Sequence, residues 1–394
     1  MKKHYKLSNI KNNKLDYENR IILYHALHNK LKNNDDCKDN LPENSPNMYI
    51  LLNEGGFSTN WKKQISLNNH KYNYALKIQN VKPFIIKDKF NTKYNLWREY
   101  DILGKCTNLV LNKVTCNLPL LYDLKICENE SRVIFYNELA NGSFIDWIYM
   151  EHTIGEWESF LFQLWMGMFI LQKHLKLVHN DLRFGNVLYH ETNNAIHKYI
   201  IGDKEYYVPN HGYTFVIWDF GGAKLDNDTD NITKQKLEYS TDLHFFHDAY
   251  NRLRVLMLLN KYTGTELESF FTTAKDFEYM KSKREECERR FRRMGRYDEK
   301  CRIALVYYLI ENGRFDELYN AKKDNLSGDK IVKIPPPEIM EILKELSENY
   351  NYEYDDIIQF NTKMKKKIPS LEFMIEKYFS KFHSKQKYDM EFIA

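Results

Sequence analysis

The most informative segment of the chain is VHNDLRFGNVLY, residues 178–189. Residues 156–177 before it are apolar nearly all round, which predicts a buried helix. Asp181 and Asn186 stand five residues apart in the loop that leads into a strand-like run. Phosphoryl transfer requires a carboxylate that orients the attacking hydroxyl and oxygen ligands for Mg²⁺. Asp181 is therefore the candidate catalytic base, Asn186 a candidate metal ligand, and Arg183 a candidate for neutralising phosphate charge. A structural turn capped by the aspartate is the alternative.

A second motif, FVIWDFGGAKL, covers residues 215–225. Its apolar strand ends at Asp219, and Phe220 and two glycines follow. An aspartate in this position can bind Mg²⁺ that bridges two phosphates. Turns of the type Asp-x-Gly are common, so the motif gains its meaning from its order after the first loop. We therefore expect Asp219 to be the second metal ligand.

A glycine-containing turn, LLNEGGFSTN, occupies residues 51–60. It is similar to a loop whose backbone N–H groups cover nucleotide phosphates. Asn53, Gly55 and Ser58 stand at the three positions where such loops carry glycine. We expect Gly55 and Gly56 to contact a nucleotide, and a plain hairpin turn is an equally good interpretation of this segment alone.

The next strand-like run, YALKI, covers residues 74–78 and places Lys77 between apolar neighbours. Burial of an ammonium group without a partner is costly, so a buried Lys77 needs nucleotide phosphates and a carboxylate nearby. Glu99 on the following helix is the preferred carboxylate, and Asp101 is the second choice. The alternative is a lysine on an edge strand that points into water.

The order of these motifs resembles the eukaryotic-type protein kinases, over roughly residues 48–260. This resemblance implies an α+β, two-lobed kinase-like fold. Its strand-rich N-lobe would span residues 48–140 and its mainly helical C-lobe residues 141–394, after an N-terminal extension of residues 1–47. It also implies that ATP and Mg²⁺, with Mn²⁺ as an alternative metal, bind between the lobes. From residue 241 to the end we expect helices.

The resemblance assigns further roles by position. Asn137–Ala140 become the hinge segment, whose backbone, including Glu138 and Ala140, would bind adenine. Lys77 would hold the α and β phosphates. Asp242 would support the backbone of the catalytic loop from a buried helix.

Two stretches are similar to a narrower group, the serine/threonine kinases of poxviruses and giant DNA viruses. They are KEYYVPNHGYTFVIWDFGG, residues 204–222, and TDLHFFHDAYNRL, residues 241–253. This resemblance implies a viral protein kinase that phosphorylates Ser or Thr of protein substrates. Its expected location is the host cell cytoplasm, with the virion as an alternative.

The chain also departs from the wider kinase pattern. Asn180 replaces the arginine that usually precedes the catalytic aspartate, so control through phosphorylation of the activation loop is not expected. Arg183 replaces the usual lysine, and no A-P-E sequence follows Asp219. The loop pattern H-N-D-L-x-x-G-N is also similar to choline and aminoglycoside kinases, which makes a small-molecule kinase the first alternative. The poor glycine loop makes a nucleotide-binding pseudokinase scaffold the second.

The composition excludes several other classes of protein. The 394 residues include 58 basic and 54 acidic side chains, a net charge of +4, and a nucleic-acid binder would show a stronger bias. The start of the chain has no apolar core of a signal peptide, and no apolar run is long enough to span a membrane. We therefore expect a soluble, intracellular protein.

Two more features of the sequence lead to expectations. The six cysteines show no C-x-x-C spacing, so we expect reduced thiols and no zinc site. Residues 281–302 form a strongly basic segment that predicts a charged helix. A solvated helix face is the favoured interpretation, and a docking patch for an acidic partner is the alternative.

Overall fold

The computed structural model describes the following parts of the chain: residues 14–32, 37, 42, 49–54, 58–67, 70–129, 131–225, 240–259, 262, 264–291, 297–321, 335–349 and 370–394. The chain divides into two compact units. Unit 1 comprises Met1–Phe144, Gly155–Asp242 and Phe360–Ala394, and unit 2 comprises Ile145–Ile154 and Leu243–Gln359. The domain boundaries expected at residues 47 and 140 stay predictions.

The N-terminal part of unit 1 is an antiparallel sheet accompanied by three helices. The strands follow the order β1-β2-β3-β5-β4. They are β1 (Tyr49–Glu54), β2 (Ser58–Leu67), β3 (His70–Asn80), β4 (Leu121–Cys127) and β5 (Arg132–Asn137). The helices are α1 (Tyr17–Lys32), α2 (Pro83–Lys87) and α3 (Asn95–Leu111). The structure thus confirms a mixed α+β chain with a strand-rich N-terminal region, which is compatible with a kinase-like fold.

Strand β3 lies at the centre of this sheet and shows why a charged side chain can be buried there. Tyr74, Leu76 and Ile78 alternate along the strand and are all buried. Because successive side chains point to opposite faces of a sheet, Lys77 faces away from these three. Lys77 is itself only 6% exposed, so the opposite face is covered as well.

The middle of the chain continues unit 1 with a long helix and short strands. The elements are β6 (Gly142–Ser143), α4 (Phe144–Trp147, which belongs to unit 2 from Ile145 onward), α5 (Ile154–Leu175, which belongs to unit 1 from Gly155 onward), β7 (Leu177–Val178), β8 (Val187–Glu191), β9 (Ile196–Ile201), β10 (Lys204–Pro209), β11 (Tyr213–Ile217) and β12 (Lys224–Leu225). Every residue of α5 from Ser159 to Leu171 is buried, which confirms the buried helix predicted from its apolar circumference. Strands β11, β8 and β6 form one small sheet, and β12 pairs with β7.

The C-terminal residues return to unit 1. Helix α12 (Leu371–Phe379) is followed by strand β13 (Met390–Ile393), which pairs in parallel with β9 beside β10. The expectation of helices up to the chain end was therefore wrong for the last strand. Its sequence, MEFI, is too short to show a period, and only the parallel pairing with β9 defines it as a strand.

Unit 2 is helical in the part that the structure describes. Its elements are α6 (Ser240–Leu259, whose first turn belongs to unit 1), α7 (Gly264–Glu268), α8 (Ala274–Phe291), α9 (Tyr297–Glu311), α10 (Phe315–Ala321) and α11 (Pro337–Asn349). The buried residues Leu258, Leu267, Val306, Leu309 and Leu318 lie in one hydrophobic cluster. Across all the described ranges, none of the helices combines the length and apolarity that crossing a bilayer requires.

The basic segment 281–302 falls on two helices, α8 and α9, and residues 292–296 between them lie outside the described residues. Two of its basic side chains have acidic partners within unit 2. Lys283 Nζ lies 2.7 Å from Glu286 Oε2, and Arg284 pairs with Glu268. A docking patch for an acidic partner stays a prediction.

One expectation about the cysteines was wrong. Cys37 and Cys127 form a disulfide with their Cα atoms 5.7 Å apart, a separation typical of such bonds. Cys127 ends β4, and Cys37 follows α1, so the bond joins the N-terminal helical segment to the sheet. The other four cysteines are buried and retain their thiols: Cys106, Cys116, Cys287 and Cys301.

The disulfide leads to a prediction about stability. Cys37→Ser opens a covalent loop between residues 90 positions apart. Because cross-links of this kind restrict the unfolded chain, we expect a loss of about 2–4 kcal/mol in the free energy of unfolding. Denaturant unfolding of the oxidised proteins measures this loss, and reductant should lower wild type to the level of the variant. Equal stability of oxidised wild type and variant would contradict the stabilising role of the bond.

Candidate active site

Three charged side chains from different elements of unit 1 meet, and we call them the Lys–Glu–Asp cluster. Lys77 Nζ on β3 donates to Glu99 Oε1 on α3 at 2.6 Å and to Asp219 Oδ1 after β11 at 2.8 Å. Gln79 Nε2 donates to the second oxygen of Glu99 at 3.2 Å. Asp101, the second choice from the sequence, instead accepts a bond from Lys105 at 2.6 Å. Lys77 is thus a buried lysine with partners and not an edge lysine in water.

The charges of the cluster follow from this geometry. Burial by itself would lower the pKa of Lys77, but the carboxylates of Glu99 and Asp219 outweigh it and raise that pKa above its ordinary value. Burial would also raise the pKa of Asp219, but Lys77 outweighs burial and holds that pKa below its usual range. Lys77 therefore carries a positive charge and Asp219 a negative charge at neutral pH.

Asp219 adopts an unusual backbone conformation. Its φ is 67°, in the left-handed region, where aspartate and asparagine are the side chains most readily tolerated apart from glycine. Phe220 behind it is fully buried and packs at a tilt against the His179 ring, with ring centroids 5.2 Å apart. The turn therefore directs Asp219 toward Lys77 while Phe220 anchors the backbone in the core.

The candidate catalytic loop, residues 179–186, is held by a buried carboxylate. The backbone N–H groups of His179 and Asn180 donate to Asp242 Oδ2 and Oδ1 at 2.9 and 2.8 Å. The ring Nε2 of His179 lies 2.9 Å from the carbonyl oxygen of Trp218. Asp242 thus occupies the place that the sequence resemblance assigned to it beneath the loop backbone.

Asp181 and Arg183 are exposed on this loop, and the buried Asn186 lies directly beside Asp181. Asn186 Nδ2 donates to the backbone oxygen of Asp181 at 2.7 Å and to Asp181 Oδ2 at 3.1 Å. Arg183 Nε lies 3.5 Å from the same Oδ2 atom. These bonds use the amide nitrogen of Asn186 and leave its amide oxygen available as a ligand.

The candidate catalytic loop and the Asp219 turn are directly joined by hydrogen bonds. Trp218 N donates to Asn186 O at 2.8 Å, and Asn180 Nδ2 donates to Gly222 O at 3.3 Å. A Cβ atom on Gly222 would lie 3.4 Å from the Cβ of Asp181, at van der Waals contact, so the turn and the loop pack closely here. The two motifs that stand apart in the sequence are therefore neighbours in unit 1.

The expected hinge segment, Asn137–Ala140, is tied into unit 1 by its own contacts, and its binding of adenine stays a prediction. The backbone N–H of Glu138 donates to Leu120 O at 3.0 Å, so this group is used within the protein. The Glu138 side chain is buried and pairs with Arg20 of α1. Ala140 is half-buried. Gly55 and Gly56 lie outside the described residues.

Sequence reasoning missed two residues near these groups. Gln79 is two positions after Lys77 on β3, and its bond to Glu99 could have been suspected from the side-chain period of a strand. Arg20 lies in the segment that the sequence presents as a polar extension. Nothing in its local pattern distinguishes it from the other basic residues there.

Comparison with known proteins gives limited support. No protein-family profile matches the chain. A probable serine/threonine-protein kinase from Dictyostelium discoideum is 32% identical over 120 residues, which cover 28% of this chain and 9% of that protein. The chain thus matches only a small part of the length of this relative. The similarity supports a protein-kinase relationship and suggests a kinase or other transferase.

Proposed function

We propose that this protein is an ATP-dependent serine/threonine protein kinase that transfers the γ-phosphate of ATP to protein hydroxyls. The observation that carries the proposal is the Lys–Glu–Asp cluster joined, within unit 1, to a loop that bears Asp181 and Asn186. Phosphoryl transfer is catalysed mainly by positioning and by charge stabilisation, and these residue types supply both. The virus-like stretches identified in the sequence support a viral origin, with the host cytoplasm or the virion as the location.

Each residue has a role in this proposal. Lys77 binds the α and β phosphates, and Glu99 holds Lys77 in place. Asp181 orients the substrate hydroxyl and accepts its proton, while Arg183 neutralises charge on the transferred group. The hinge backbone around Ala140 binds adenine, and Gly55 and Gly56 cover the phosphates.

A divalent metal fits the donor set of the site. The Asp219 carboxylate is charged at neutral pH, and the amide oxygen of Asn186 is available, so both offer the oxygen ligands that Mg²⁺ or Mn²⁺ prefers. When bound, the metal supplies charge neutralisation on the phosphate oxygens. Asp219 and Asn186 would hold it from the turn and the loop.

Radiolabelled ATP tests the proposal against its first alternative. We expect label to move to Ser or Thr of a generic basic or acidic protein substrate in the presence of Mg²⁺, and not to choline or an aminoglycoside. Labelling of choline alone would favour the small-molecule kinase, which the loop pattern H-N-D-L-x-x-G-N supports. Nucleotide binding without any transfer would favour the pseudokinase scaffold.

Glu99→Gln tests the pairing of Lys77. The amide keeps the shape of the side chain but removes the charge that holds the buried ammonium, so we expect transfer to slow by at least about tenfold, as for loss of a charged partner at a buried pair. Asp101→Asn on the same helix is the matched control, since Asp101 bonds Lys105 at the surface. Initial rates of label transfer measure both variants. If Glu99→Gln transferred label as fast as Asp101→Asn, Glu99 would not be needed to hold Lys77.

A further inference from the structure

Helix α1 makes a buried ionic contact with the hinge segment. The Arg20 guanidinium is 1% exposed, and it donates from Nε to Glu138 Oε2 at 2.9 Å and from Nη2 to Oε1 at 2.7 Å. It also donates to the carbonyl oxygens of Cys116 and Leu118 at 2.5 and 2.7 Å. A bidentate pair with two further carbonyl bonds fixes the guanidinium in position as well as orientation.

The Glu138 carboxylate is satisfied from several sides. Its Oε1 also accepts from Leu120 N at 2.9 Å, and His190 Nε2 lies 3.4 Å from its Oε2. Burial opposes ionisation, but Arg20 outweighs burial and lowers the pKa of Glu138 to about 2. The reciprocal bond from Glu138 N to Leu120 O closes a small ring of contacts. Glu138 is the second residue of the hinge segment, and its side chain therefore fixes the position of the hinge backbone.

Other residues of the N-terminal segment contact α3, β4 and β8, which lie around the candidate site. Tyr17 OH donates to Val110 O at 2.7 Å, near the end of α3, the helix that carries Glu99. The ring Nδ1 of His28 lies 2.6 Å from Tyr122 O on β4. Leu15 N donates to Glu191 O at 3.0 Å, at the end of β8, the strand that follows the catalytic loop. One short segment thus contacts the Glu99 helix, the hinge and the strand after the loop.

We propose that α1 is an integral part of the nucleotide site's framework and that Arg20 is a positioning residue, which sets the hinge segment at the place where it binds adenine. This inference rests on the proposed function. A buried ion pair is a poor source of stability compared with apolar packing of the same volume, so its value lies in fixing one arrangement. Arg20 touches no phosphate-binding residue, so its loss should affect adenine recognition and leave the Lys–Glu–Asp cluster in place.

The test measures binding of adenosine and of Mg²⁺–ADP to the 394-residue protein by calorimetry. For Arg20→Met we expect both affinities to fall by the same factor, on the order of tenfold, because a displaced hinge makes weaker hydrogen bonds to adenine. ADP differs from adenosine by its phosphates, so the ratio of the two affinities measures the contribution of the phosphate contacts. This ratio should be the same in Arg20→Met as in wild type. Lys30→Met, an exposed charge on the same helix, is the control and should bind as wild type does.

A second variant separates positioning from folding. The double variant Arg20→Met, Glu138→Gln leaves no buried charge without a partner. The amide of Gln can still accept the hydrogen bond from Leu120 N. We therefore expect the double variant to recover the stability to denaturant that Arg20→Met loses. We expect the adenosine affinity to stay low in this double variant. Wild-type adenosine affinity in either variant, or a loss confined to ADP, would overturn the inference. If wild type bound neither adenosine nor Mg²⁺–ADP, this result would contradict the proposed function, and the inference about Arg20 would lose its basis.

Discussion

Asp181→Ala is expected to lower the rate of phosphoryl transfer by at least ~10²-fold, the usual scale for loss of a positioned acid–base group. ATP binding should survive, because the expected contacts to the nucleotide come from Lys77 and the hinge. Asn186 should also keep its position, since its stronger bond of 2.7 Å goes to the backbone oxygen of Asp181 and not to the carboxylate. The loss should therefore appear in turnover and not in the affinity for nucleotide.

Two further variants complete this experiment. Asp181→Asn keeps the shape of the side chain and should lose nearly as much turnover, since an amide cannot accept the proton. Asp203→Ala removes an exposed carboxylate from the turn between β9 and β10 and should behave as wild type does. Single-turnover rates at saturating ATP measure all three. Near-normal turnover of Asp181→Ala would remove the basis for calling Asp181 the catalytic base.

Asp219→Asn is expected to abolish most of the gain in nucleotide affinity that Mg²⁺ provides. The amide can still accept the bond from Lys77 Nζ that now measures 2.8 Å, so the local geometry should persist. The negative charge is lost, however, and a hard cation binds an amide oxygen more weakly than a carboxylate. We expect the Mg²⁺-dependent increase in ADP affinity to fall by about tenfold or more, which corresponds to about 1.4 kcal/mol.

The measurement compares ADP binding with and without Mg²⁺ for wild type and variant. Binding without metal should change little, because Lys77 keeps its charge and its bond to Glu99 at 2.6 Å. Asp101→Asn serves again as the control for loss of a surface carboxylate. An unchanged dependence on Mg²⁺ in Asp219→Asn would contradict the role of this residue as a metal ligand.

The sequence could predict those parts of the site that depend on local patterns. The apolar circumference of residues 156–177 predicted a buried helix, and α5 is buried as expected. The choice between Glu99 and Asp101 needed the structure, because both lie on the first turns of α3 and only their side-chain directions separate them. Side-chain periodicity and motif spacing thus predict much of the candidate site. They do not predict the side-chain contacts that distinguish Glu99 from Asp101.

Other features depend on pairs that are distant in the chain. Arg20 meets Glu138 across 118 residues, and the disulfide of Cys37 joins positions 90 apart. Strand β13 is defined as a strand only by its parallel pairing with the edge of β9. No local propensity or spacing encodes such pairings, because each partner looks ordinary in its own segment, and the N-terminal segment therefore looked like a polar extension.

The most direct test of the central claim is phosphoproteomics of a dephosphorylated cell lysate treated with ATP, Mg²⁺ and either wild type or Asp181→Ala. The proposed function predicts new phosphate on Ser and Thr residues of many proteins with wild type and almost none with the variant. The same phosphorylation pattern with both proteins, or no new phosphorylation with wild type, would contradict the proposal that this chain is a protein kinase acting through Asp181.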